Sequence, residues 1–152
     1  MSTSSASPQD LASTAWSFAT LAFGHVPLIA AISAASVRQI QLFNGQDLAN
    51  LAWSFARLAF GPAPLIEAMS AVALIKLKDF RPQGIANMAW AFATLAVHDS
   101  PLIAALSGAS LGRVAEFDPK SLSSMAWSLA TLAVDDRQLL AAIAGAAVGK
   151  IG

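Results

Sequence analysis

The sequence predicts an all-α fold, a right-handed α-solenoid of four helix-turn-helix repeats, each about 37 residues long. Three observations carry that prediction. Trp16, Trp53, Trp90 and Trp127 recur at a constant interval of 37 residues, without insertion or deletion. The segments around them stay in register as LASTAWSFATLAF, LANLAWSFARLAF, IANMAWAFATLAV and LSSMAWSLATLAV, and a second block follows as PLIAAIS, PLIEAMS, PLIAALS and QLLAAIA. No apolar–polar alternation of period two runs through the chain, so no sheet is expected. A period of this length marks units that bury their apolar faces against their neighbours.

The repeats run over 7–43, 44–80, 81–117 and 118–152, preceded by a Ser-rich segment, residues 1–6, that reads as disordered. Each first helix begins at a capping pair: Ser7-Pro8, Asn44-Gly45, Arg81-Pro82 and Asp118-Pro119. Ser, Asn and Asp accept hydrogen bonds from free N–H groups of the first turn, and proline suits the first helical position. Arg81 lacks an acceptor, so the third of these helices should begin less firmly. Leu11, Ala15, Phe18, Ala19 and Ala22 then form one apolar stripe at helical spacing. Ala12, Trp16 and Phe23 widen it, as expected of a helix packed on two sides. Gly24 and Gly61 are expected to end the first helix in two copies, with His98-Asp99 and Asp135-Asp136 in the corresponding turns of the others. Pro27, Pro64 and Pro101 open the second helices, which are expected to run to Phe43, Phe80 and Phe117. The Trp column reads as core.

Composition narrows the function. The 152 residues suffice for one domain; 56% are hydrophobic and only 12% charged, with nine Lys+Arg against nine Asp+Glu. Zero net charge excludes a strongly basic nucleic-acid arm, an acidic tail and a polybasic membrane patch. Residues 11–37 carry no formal charge, but Gly24 and Pro27 divide that run into pieces of about 15 residues, too short for the roughly 30 Å hydrocarbon core. No membrane span is expected. The absence of cysteine removes disulfides, thiolate metal sites and cysteine nucleophiles. His25 and His98 stand in non-adjacent repeats without carboxylates at ligand spacing, so no metal site or cofactor is expected. No Gly-rich phosphate loop or nucleophile elbow is present, and the chain does not read as an enzyme.

Two polar registers remain as candidates for binding. Ser13, Ser17 and Thr20 lie at i, i+4 and i+7, with counterparts Asn50, Ser54 and Arg57, then Asn87, Ala91 and Thr94, then Ser124, Ser128 and Thr131. Stacking of the units makes Ser13, Asn50, Asn87 and Ser124 a ladder. It suits either one base per repeat of a single-stranded RNA, or a solvated face whose hydroxyls bond back to the helix. A second register holds Gln39, Lys76, Arg113 and Lys150. Such cations either track a phosphate backbone or offset the dipoles of the helix C-termini on which they sit.

The pattern L-A-x-x-A-W-x-[FL]-A-x-L, with paired helices and the 37-residue period, resembles the octotricopeptide and heptatricopeptide repeat arrays. Related helical regions occur in organellar proteins that carry a RAP domain or belong to the FAST-kinase-like group. The resemblance covers residues 7–152 and is looser in the second helix. It implies an α-solenoid that binds single-stranded RNA in mitochondria or chloroplasts and acts in RNA processing, stability or translation. It also makes Ser13, Asn50, Asn87 and Ser124 the base-contacting column. No RAP-like segment follows the repeats, and the N-terminal MSTSSASPQD lacks the arginines of a transit peptide, which leaves a cytoplasmic protein open. Neither end carries a polar capping repeat, so a piece of a longer array, a degenerate gene product, or a chain that stacks end to end is expected. A protein-binding scaffold is the alternative from a different class, because solenoids also present extended surfaces to peptides.

Overall fold

The computed structural model describes residues 6–21, 26–134 and 136–151, which form eight α-helices and three short 3-10 turns, with no strand among the described residues. The first repeat holds α1 (Pro8–Thr20) and α2 (Val26–Gln39), the second α3 (Gly45–Arg57) and α4 (Ala63–Lys76). The third holds α5 (Pro82–Thr94) and α6 (Ser100–Gly112), the fourth α7 (Pro119–Thr131) and α8 (Arg137–Ile151). Helices α1, α3, α5 and α7 form a closely packed row, while the second helices touch one another far less. The result is an all-α solenoid. No helix among the described residues is long and apolar enough to cross a membrane.

Local chemistry explains where the helices start. Ser7 accepts from the Asp10 N–H at 3.1 Å, and the Asp10 carboxylate takes the Ser7 N–H at 3.2 Å. Asn44 and Asp47 repeat that reciprocal box. Each box satisfies two donors that a helix end otherwise leaves free. Asp118 caps α7 through the Ser121 N–H at 2.7 Å, whereas Arg81 makes no side-chain cap on α5. Asp99 and Asp136 cap the second helices α6 and α8 in the same manner, accepting from the N–H groups of Leu102 and Leu139.

The ends differ from the expectation. Gly61 does not terminate α3. That helix ends at Arg57, and the left-handed residue beyond it is Ala59, with φ 53°. Phe60 N–H donates to the Phe55 carbonyl and Ala59 N–H to that of Ala56, the paired bonds of a Schellman cap. Ala96 and Ala133 take the same place in the third and fourth repeats, each at φ 57°. Gly61 is a packing position instead, where an added Cβ would lie 3.2 Å from Leu95. The second helices also stop short of the closing phenylalanines. Each tightens into a 3-10 turn (Ile40–Leu42, Leu77–Asp79, Val114–Glu116) before an extended Phe43, Phe80 or Phe117. Ala22, Phe23, Gly24, His25, Asp135 and residues 1–5, with their expected roles, lie outside the described residues.

Phe43, Phe80 and Phe117 are fully buried, as are Phe55 and Phe92 of the first helices. They join Leu48, Leu65, Ile85 and Leu102 in one core that runs the length of the array. Between the second helices, buried Ser70 donates to the capping carboxylate of Asp99. One repeat on, the buried Ser107 hydroxyl has no partner.

Candidate functional site

The tryptophan column, expected in the core, is a surface ladder. Trp16 is 47% exposed and Trp127 48%, and Trp53 and Trp90 are partly exposed. Successive ring centroids lie 6.4, 6.4 and 6.5 Å apart, with planes inclined by 27°, 33° and 33°. At 100° per residue, Trp16 sits about 140° round the helix from Leu11 and within about 60° of Gln9, Ser13 and Thr20. The helix therefore has four working faces: one toward its own second helix, two flanks toward neighbouring first helices, and an outward face carrying the indoles.

The stripe of Ser13, Ser17 and Thr20 divides accordingly. Ser54 and Ser128, in the register of Ser17, are wholly buried, on the flank where first helices meet. Their hydroxyls donate to the Asn50 and Ser124 carbonyls, each at 2.7 Å. Ser17 and Thr20 bond back in the same way, to Ser13 and Trp16. These hydroxyls satisfy their own helix, as short polar side chains do. The register of Ser13, Asn50, Asn87 and Ser124 stays on the outward face. Asn50 and Asn87 both line a cavity of about 410 Å³ with Gln46, Gln83 and Arg81. They also share a cavity of about 490 Å³ with Trp53, Trp90, Lys120 and Ser124. Ser13 and Asn50 meet in a third depression beside Gln9. Among the described residues, the side-chain amides of Asn50, Asn87, Gln46 and Gln83 make no hydrogen bond.

The cation register lies elsewhere. Lys76 Nζ donates to the Gln41 and Phe43 carbonyls, each at 2.6 Å. Arg113 donates to the Phe80 carbonyl at 2.5 Å and pairs with Glu116 at 3.1 Å, and Gln39 donates to the Ala6 carbonyl at 2.9 Å. Gln39, Lys76 and Arg113 thus each reach an acceptor 33 residues earlier. This contact ties the end of a second helix to the residue just before its repeat begins, and so joins each repeat to the segment that precedes it. The Lys150 side chain lies outside the described residues. Neither Lys76 nor Arg113 lines the polar depressions of the outward face.

Cations that do approach the ladder are different ones. Arg57 lies over the Trp53 ring, 5.5 Å from its centroid, a cation–π contact. Arg81 and Lys120 line the depressions, and Asp79 and Asp118 lie beside them, so the local charge is mixed. The angular placement that exposes Trp16 also brings Gln9, Gln46, Gln83 and Lys120, one turn before the Ser13 register, to the outward face. Compared with known families and curated proteins, the chain matches no family model and no curated sequence.

Proposed function

We propose that the chain is a non-catalytic helical-repeat protein that binds single-stranded RNA along the outward face of its first helices, at about one nucleotide per repeat. One observation carries this reading: four evenly spaced, solvent-accessible indoles run beside Asn50 and Asn87, whose amides make no hydrogen bond among the described residues. Indole faces stack on bases whatever their sequence. An uncommitted amide offers a donor and an acceptor side by side to a base edge. Ser13 and Ser124 extend the column to the outer repeats, and Arg57, Arg81 and Lys120, on or beside the ladder, are the proposed phosphate contacts. Lys76 and Arg113, held on backbone carbonyls, are assigned the structural role of joining their repeat to the one before. The likeness of the LANLAWSFARL segment to octotricopeptide-type arrays supports an organellar RNA as the target.

A protein-binding scaffold is the second reading, favoured by the mixture of acids and cations beside the ladder. Titration of a labelled 12-nucleotide single-stranded RNA pool, followed by anisotropy and tryptophan fluorescence, separates the two. RNA binding with indole quenching is expected. A folded, monodisperse chain that binds no RNA overturns the proposal in favour of the scaffold.

A further inference from the structure

The four repeats do not present the same groups to a ligand. The first offers Gln9 and Ser13, and the fourth Lys120 and Ser124. The second and third offer the same pair of amides, Gln46 with Asn50 and Gln83 with Asn87, each beside an indole of the ladder, and differ in Arg57 over Trp53 where the third repeat has Thr94. These two repeats are adjacent, and their asparagines line the same two cavities. Like surroundings select like ligands. Resting on the RNA reading above, we infer that the second and third repeats form a matched pair of subsites for two consecutive adenines.

The chemistry of the groups leads to that base. The Asn50 and Asn87 amides each set a carbonyl oxygen beside an NH₂, complementary to the N6 amino group and N7 of adenine. On the same Hoogsteen edge guanine presents two acceptors, O6 and N7, which suits a cation; Arg57, Arg81 and Lys120 beside the ladder are assigned to phosphate, so the amides are left to choose the base. Stacking on the Trp53 and Trp90 rings adds to this, because a purine covers more of an indole than a pyrimidine does. The hydroxyls of Ser13 and Ser124 either donate or accept, so the outer repeats discriminate less.

The test uses the full chain and 12-nucleotide oligouridines, plain or carrying one central adenine, two adjacent adenines, or two adenines separated by one uridine. Anisotropy titration should show a gain of about fivefold or more for each adenine of the adjacent pair, and no gain from the separated pair beyond that of one. Adjacent guanines or cytosines in the same background should bind less tightly than adjacent adenines. Asn50→Ser and Asn87→Ser, which copy the outer repeats, should each reduce the pair's advantage to that of a single adenine. The double variant should bring the ratio of adenine-pair to oligouridine affinity to about one, with circular dichroism unchanged. Binding without base preference, preference for another base, or a preference that survives the double variant would overturn the adenine pair while leaving RNA binding intact. No binding of any oligonucleotide by the folded chain would remove the RNA reading itself.

Discussion

Ala59, Ala96 and Ala133 hold left-handed backbone, with φ between 53° and 57°, at a position where helices ordinarily place glycine. The Cβ of an L-residue in this region crowds the following carbonyl, at a cost of roughly 1–2 kcal/mol. All three methyl groups are exposed, so no packing offsets that cost. Glycine would remove the crowding but add freedom to the unfolded chain, worth roughly 0.5–1 kcal/mol. Ala59→Gly, Ala96→Gly and Ala133→Gly should each stabilise the protein by about 0.5 kcal/mol, and their effects should add if the three turns, each in its own repeat, share no partner. Thermal melts of the triple variant should rise by about 3–6 °C; an unchanged or lower midpoint would show that these turns carry no strain. The alanine turns were not legible in the sequence. Gly61 draws the eye as a helix terminator, while an alanine in a left-handed turn has no local signature. The tryptophans, by contrast, were misplaced by a rule and not by missing information. Hydrophobicity assigns them to the core, but their angle on the helix groups them with Gln9, Ser13 and Thr20.

At the scale of one element, helix starts follow side-chain chemistry that needs no tertiary context, and so Ser7, Asn44 and Asp118 could be read directly. The acidic partners Asp10 and Asp47 complete two of these caps from the third helical position. Helix α5 is the exception, since Arg81 leaves its first turn without a side-chain acceptor. Arg81→Ser would copy the Ser7-Pro8 start of α1 and should stabilise the protein by about 1 kcal/mol, read as a higher urea midpoint at unchanged slope. A midpoint that stays put would mean that the free N–H groups of α5 are already well satisfied by solvent. Contacts between elements were less legible. The acceptors of Gln39, Lys76 and Arg113 stand 33 residues upstream, and a cation near a helix C-terminus is equally at home facing solvent. The 3-10 turns between those side chains and the closing phenylalanines were hidden for the same reason.

Across the whole molecule, zero net charge and a ladder of neutral amides and indoles mean that the proposed RNA would be held by stacking and hydrogen bonds more than by long-range attraction. Three cations, Arg57, Arg81 and Lys120, lie on or beside the ladder. Each phosphate neutralised on a single strand contributes about −0.7 to the slope of log affinity against log salt, so three contacts give a slope near −2. Asp79 and Asp118, lining the same cavities, reduce the attraction and should bring the measured slope between about −1 and −2. Arg81→Ser should then weaken binding to all sequences alike and make the slope shallower by about 0.7, while the protein itself becomes more stable. A slope of about −3.5 would require two cations beyond these three. Were those Lys76 and Arg113, they would leave the carbonyls on which they are held, making the joining of consecutive repeats and the binding of RNA competing uses of the same side chains.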